Sequence, residues 1–303
     1  MNPPRLPPTM RFIERDWLSA NGILFDDGRT SSLVDTGYVK HRPLTLALVR
    51  HALGDRPLDQ VVNTHLHSDH CGGNAALQSA YGARTLIPAA SADAVRSWDD
   101  RLTFASTHQR CDRFGFDDTL EDGQTLRLGS LDWTVIAAPG HDPDSIILHC
   151  PAERLLISAD ALWSQGFGIL FPELAGESGV AEQRAILARI DALDVSLVLP
   201  GHGPMFTDVR AAIGRARQRL ERFAEDRAHS ARYAAKALLK YLLLDRERIP
   251  LAELPALMAA VEVTMEANRR YLGLSLDALC DWTVGELVRV QAARIEADVL
   301  VNA

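Results

Sequence analysis

The sequence predicts an α/β layered domain over residues 1–208 followed by an all-helical C-terminal domain over 209–303. Three observations carry this expectation. From about residue 10 to 205, short apolar and β-branched runs alternate with segments of helical composition, separated by Gly and Asp turns. Most of those runs end close to a His or an Asp. After residue 208 the β signals stop, and Arg210 to Leu244 reads as nearly unbroken helix rich in Ala, Leu and Arg.

In chain order, Gly22 to Phe25 and Ser32 to Asp35 are expected as strands on either side of an Asp26-Asp27-Gly28 turn, a strong hairpin signal. Residues 43–53 read as a helix. Gln60 to Thr64 is a short β-branched run, and Asn74 to Tyr81 has helical composition after Gly72-Gly73. The histidine-rich segment between them therefore sits at a strand-to-helix turn. Further strands are expected at 85–87, 125–128, 132–137, 145–149, 154–157 and 196–199. Beyond Pro250 and Pro255, helices are expected over 256–271 and 284–299.

The chain has 303 residues, of which 47% are hydrophobic and 24% charged, with 20 Gly and 15 Pro, so there is material for a large core and a smaller appendage. This composition argues against collagen, coiled-coil arrays and intrinsic disorder. A net charge of −8 gives no overall attraction to nucleic acid or anionic lipid. The four cysteines, Cys71, Cys111, Cys150 and Cys280, form no Cys-x-x-Cys and fit reduced thiols in the cytoplasm. The proline-rich start has no apolar run of signal-peptide length, and Ala237 to Leu244, interrupted by Lys240, falls short of the ~18 residues of a membrane span.

The densest chemistry lies in Thr64-His65-Leu66-His67-Ser68-Asp69-His70-Cys71-Gly72-Gly73. In extended backbone, residues two apart project to the same side, so His65 and His67 can converge on one ion. Asp69 and His70, carried round a turn, can face a second point about 3.5 to 4 Å away, the spacing of two-metal hydrolytic sites. His141 in Pro139-Gly140-His141, Asp160 in Ser158-Ala159-Asp160 and His202 in Pro200-Gly201-His202 each follow an expected strand. Five imidazoles and two carboxylates suit zinc first, with iron or manganese also accommodated.

This pattern, His-x-His-x-Asp-His-x-Gly-Gly with Pro-Gly-His, Asp and His further on, resembles the metallo-β-lactamase superfamily, in the form found in the glyoxalase II (hydroxyacylglutathione hydrolase) branch. The resemblance spans roughly residues 10–208. It implies an αβ/βα four-layer sandwich, and two divalent metal ions: His65, His67 and His141 hold the first, Asp69, His70 and His202 the second, and Asp160 bridges them. Asp35, in Val34-Asp35-Thr36-Gly37, matches an Asp that supports the site from outside. Asp142 stands where the family usually has Thr. The glutathione-binding basic residues of glyoxalase II find no match in the C-terminal part.

The implied reaction is hydrolysis. Two ions would acidify a shared water, Asp69 and Asp160 acting as the catalytic carboxylates that position it and handle its proton. The expected partner is a small-molecule thioester, lactone or related acyl substrate. Two alternatives rank lower. One is an iron-dependent enzyme resembling persulfide dioxygenases. The other is a nucleic-acid phosphodiesterase using the segment 210–248, which carries 11 Arg and Lys against 5 Asp and Glu; its bland counterpart is a solvated face with pairs such as Arg217 and Glu221. Trp163, Phe167 and Phe171 are expected either to wall a substrate pocket or simply to pack. Cys71 is expected as a packed small residue and His149 as a core or edge histidine. Oligomeric state has no reading in the sequence.

Overall fold

Two stacked sheets form the centre of the computed structural model, which describes residues 5–303. Residues 1–4, part of the proline-rich start, lie outside the described residues. The first sheet runs β1 (Met10–Ile13), β2 (Gly22–Asp26), β3 (Ser31–Val34), β4 (Gln60–Val62), β5 (Arg84–Pro88), β6 (Asp118–Leu120) in that spatial order. Its first three strands pair antiparallel and the rest parallel. The second sheet contains β7 (Thr125–Leu128), β8 (Leu131–Ala137), β9 (Ile146–Cys150), β10 (Leu155–Ala159) and β11 (Leu197–Pro200), in the order β11-β10-β9-β8-β7. Only its β10–β11 pair is parallel.

The inner faces meet in one apolar layer. Phe25, Val62 and Leu86 from the first sheet pack with Trp133, Leu148, Ile157 and Leu199 from the second. Trp133 is fully buried and meets Phe25 edge-on at 5.6 Å. Truncating such a side chain to Ala costs about 3 to 5 kcal/mol.

Helices cover both outer faces. On the first sheet, α1 (Arg42–Leu53) and α3 (Asn74–Tyr81) seat Val49, Leu53 and Leu77 on Leu24, Leu33 and Val61. Between them α2 (Ser68–Cys71) is a single turn, and α4 (Ala92–Ser97) packs Ala94 and Val95 beside Ile87. The other face carries α5 (Phe171–Ala175), α6 (Val180–Asp191) and α7 (Val209–Glu225). In α7, Val209, Ala212, Ile213, Ala216, Leu220 and Phe223 recur at helical spacing and join Ile147, Leu156 and Val198 in the core beneath. The result is the expected αβ/βα sandwich.

Beyond it lie α8 (Arg227–Arg246), α9 (Leu254–Ala259), α10 (Glu262–Ala267), a π-helical turn (Asn268–Leu272) and α11 (Leu276–Arg289). Several expectations are corrected here, among them the single helix over 256–271, which is divided into α9, α10 and the π-helical turn. The nearly unbroken helix expected over 210–244 is divided in two at Asp226, which adopts extended backbone and caps α8 by accepting the His229 N–H at 2.9 Å. The helix expected over 284–299 ends at Arg289, and the C-terminal region, though helical, is not all-helical. β13 (Ala293–Glu296) and β14 (Val299–Asn302) form a hairpin that β12 (Arg248–Pro250) extends to three strands. The β-branched Ile295, Val299 and Val301 favour strands, and Ala297 turns the chain with φ 53°.

Candidate metal centre

The chemistry-bearing side chains lie on turns at the carboxyl ends of strands, where two sheets expose a common edge. Asp35 follows β3, His65 to His70 follow β4, His141 follows β8, Asp160 follows β10 and His202 follows β11. All are buried. Two backbone features bring them together. Asp35 and Ala159 take left-handed conformations, φ 58° and 45°, turning the chain sharply as each strand ends. Gly201 and Gly168 lie so close to their neighbours that a Cβ on Gly201 would overlap Asp160 Oδ1, and one on Gly168 the His141 ring.

The seven sequence-derived ligand candidates form three mutually close groups: His65, His67 and His141; His65, His70 and Asp160; and Asp69, His70 and His202, each with ligand atoms within 4.8 Å of one another. His67 Nδ1 stands 2.8 Å from His141 Nε2. Asp69 Oδ2 stands 3.1 Å from His202 Nε2. Asp160 lies between the groups, Oδ1 3.4 Å from His70 Nε2 and Oδ2 3.4 Å from His141 Nε2. The buried Nε2 atoms of His65 and His70 have no hydrogen-bond partner, and neither has the His67 Nε2, which faces Asp142 while its Nδ1 meets His141. Buried imidazole nitrogens without hydrogen-bond partners beside carboxylates fit a metal-ligand set.

The electrostatics point the same way. Burial pushes His65 and His141 down and His67 down to about 3, so these rings are neutral and offer lone pairs. Burial would raise Asp160, but the charges of His70 and His202 more than offset it and hold the carboxyl well below its usual range. Asp69 is likewise held low, its burial outweighed by His70 and His202. His70, whose burial opposes charge, is raised by Asp35, Asp160 and Asp69. A buried centre that gathers ionised carboxylates, the neutral imidazoles of His65, His67 and His141, and a His70 whose proton is held in place by the surrounding carboxylates is one where cations can take over the balancing charge.

Neighbours orient the candidate ligands. Asp35 Oδ2 lies 2.8 Å from His70 Nδ1 and also accepts the Thr64 hydroxyl at 2.8 Å, while its Oδ1 accepts the Thr64 N–H. His141 Nδ1 is 2.5 Å from the Ile169 carbonyl. Asp142 accepts the Asp144 N–H and places Oδ2 3.4 Å from His67 Nε2; burial pushes its carboxyl up to about 7. Such contacts fix which imidazole nitrogen faces an ion.

Above the centre opens a cavity of about 390 Å³. Of the aromatic trio, Trp163 and Phe171 line it, whereas Phe167 is buried in the core beneath α7. Trp163 Nε1 donates to Asp160 Oδ1 at 3.2 Å. Two contributors escape sequence reasoning. Trp17, 57% exposed, stacks parallel on His202 at 5.3 Å and meets Trp163 edge-on. The α8 helix supplies Tyr233, Leu238, Tyr241 and Leu244. Nothing near Trp17 carries a motif; the one available signal is a large aromatic in a polar loop.

Elsewhere, Cys71 is fully buried with its thiol pushed up by burial, and His149 is buried with Nε2 3.5 Å from the Asp194 carbonyl. The basic segment finds partners within the chain. Arg215 pairs with Asp208, Arg217 with Asp191, Arg227 with Glu173, Lys236 with Glu286 and Arg248 with Glu296. Glu221, expected beside Arg217, is taken instead by Arg184 of α6. Arg219 lies over the Tyr233 ring at 4.1 Å. Among the described residues no helix is long and apolar enough to cross a membrane.

Comparison with known proteins follows the same residues. The family described as the metallo-beta-lactamase superfamily matches residues 15–202. Relatives named hydroxyacylglutathione hydrolase include those of Pseudomonas aeruginosa, 33% identical over 54% of this chain and 53% of the relative, and Hyphomonas neptunium, 31% identical over 38% of each. The chain thus spans 38% to 65% of the length of the curated relatives compared, about half in most of them. Among solved structures, a beta-lactamase domain protein from Burkholderia ambifaria aligns over 99% of this chain and 94% of its own with a TM-score of 0.61 at 19% identity. A metallo-beta-lactamase family protein from Thermus thermophilus aligns over 99% of this chain and 100% of its own with a TM-score of 0.58 at 17% identity. At those identities the likeness is one of fold.

Proposed function

The chain belongs to the metallo-beta-lactamase superfamily, and from that premise we propose that it is a hydrolase holding two divalent metal ions, zinc in the first place, that cleaves a thioester, lactone or related acyl substrate. The supporting observation is the convergence of seven buried ligand candidates with orphaned imidazole nitrogens. His65, His67 and His141 would hold one ion and Asp69, His70 and His202 the other, with Asp160 between them. When bound, such ions lower the pKa of water and polarise a carbonyl. The chain itself does the rest. Asp160, steadied by the Trp163 N–H, and Asp69 accept hydrogen bonds from the attacking water and fix its direction. Asp69, on the solvent side of its histidines, is placed to pass the proton to the leaving group. Trp17 and Trp163 keep bulk water from His202.

The sandwich, which includes α7 as one of its outer helices, carries this machinery, and the helices that follow roof it through α8. Cysteine usage supports a cytoplasmic setting. His67→Ala and Asp160→Ala are expected to abolish hydrolysis while circular dichroism and oligomer size stay those of the parent. Turnover within a few-fold of the parent in either variant would overturn the reading.

A further inference from the structure

The cavity over the metal centre has an asymmetric chemistry. Its floor is the ligand set, but its walls are Trp17, Trp163, Ile169, Phe171, Leu238 and Leu244. At about 390 Å³ it lies within the ~300 to 1,000 Å³ of ordinary small-ligand sites. Apart from the candidate ligands, its one charged lining residue among the described residues is Lys240, whose ammonium donates to the Ala292 carbonyl and Asn302 Oδ1, both at 2.5 Å. The neighbouring cavity that shares Gln109 contains Arg110 and Arg246 together with Asp245. Arg110 is paired with Asp245 at 2.8 Å, and Arg246 lies against His108 Nε2 at 3.2 Å. Beyond the metal-ligand candidates, a substrate carboxylate or phosphate in the main cavity would meet Lys240 alone among the described lining cations, and that ammonium already donates to two neutral oxygens while the surrounding wall is apolar.

We infer that this site takes neutral esters, thioesters or lactones whose body is an apolar chain or ring, seated between the Trp17–Trp163–Phe171 wall and the Leu238–Leu244 face of α8. This rests on the hydrolase reading above and adds its substrate class. The step is simple hydrolysis: the acyl C–S or C–O bond breaks, water supplies the new C–O bond and the leaving group's proton, and no electrons change hands. Chain length is read through burial of methylenes, each worth up to about fourfold in binding while the cavity has room.

The test has two readouts on the full-length zinc-loaded protein. The first is kcat/KM along neutral thioesters of one leaving thiol, acetyl to octanoyl, with S-lactoylglutathione as the charged comparator. Expected is a rise of about two- to fourfold per methylene, with the best neutral thioester at least tenfold above the glutathione thioester. Leu244→Arg, a half-buried position on the cavity wall, is expected to cut the octanoyl-to-acetyl ratio at least tenfold and to narrow the gap to the glutathione thioester. The second readout is tryptophan fluorescence on titration with N-octylacetamide, an uncharged amide, expected to saturate in the parent and weaken at least tenfold in Leu244→Arg. A flat chain-length series, or a preference for the glutathione thioester, overturns the inference and leaves the hydrolase reading standing. Saturable binding that Leu244→Arg removes, with no turnover of any acyl compound, overturns the hydrolase reading and retains the apolar site. Absence of saturable binding overturns the inference.

Discussion

Asp35 touches neither a substrate nor the cavity, yet its carboxylate ties Thr64 to His70 at 2.8 Å on both sides. Contacts of this kind set the tautomer and aim of a ligand, and their loss typically costs about 10- to 100-fold in metal affinity. Asp35→Asn is accordingly expected to weaken zinc binding by about 10- to 100-fold, read by competition with a chromophoric chelator, with the fold retained. Unchanged affinity would remove Asp35 from the site's support. At this scale much was legible. The ligand candidates from residue 65 to 70 are local in sequence, and a strand followed by a glycine pair dictates how they fan out. Asp142 was not legible, because a carboxylate after Pro-Gly-His reads equally as a turn residue; only the 3.4 Å approach to His67 shows what it faces.

The loop from Asp160 to Leu170 works as an element. It leaves β10 through a left-handed Ala159, brings Trp163 under Trp17, and presses Gly168 against the His141 ring. A methyl group at 168 cannot coexist with that ring, since even the Cγ of His141 would stand 2.9 Å away. Displacing one ligand by about 1 Å can cost on the order of 100-fold in rate. Gly168→Ala is therefore expected to lose about 100-fold in turnover and to bind less zinc, whereas activity near the parent's would mean the loop moves freely. Elements of the sandwich were legible from period and turn chemistry. The break at Asp226 and the terminal hairpin were not. Ala, Arg and Glu around residues 292–297 mimic helix composition; the strand there is stabilised by its hairpin partner β14, which in turn pairs with β12 some fifty residues earlier.

At the scale of the whole molecule, α8 is fastened to the sandwich near the site. Tyr38 stacks edge-on against Tyr241 at 5.4 Å and donates to Asp245 at 3.2 Å, while Lys40 bonds the Asp245 carbonyl and Glu247. Burial, reinforced by the Asp245 charge, pushes the Tyr38 phenol up to about 12 from 10.0. The folded chain then keeps a proton that the unfolded chain releases. Its contribution is present below pH 10 and is lost as pH rises towards 12, on the order of 2 kcal/mol. Tyr38→Phe is expected to flatten the fall in stability between pH 10 and 12 in denaturant titrations; an identical slope would sink the assignment. This junction could not be foreseen, for it joins residues about 200 positions apart with no shared motif, as does the stacking of Trp17 on His202.

The proposal of two metal ions meets its most direct test in the metal content per chain, measured by plasma mass spectrometry on protein purified without chelator or affinity nickel, with an oxygen electrode run alongside. About two zinc or manganese per chain, falling in His67→Ala and in Asp160→Ala, is the expected result. About one iron per chain with oxygen consumption, or no metal after reconstitution, would contradict it.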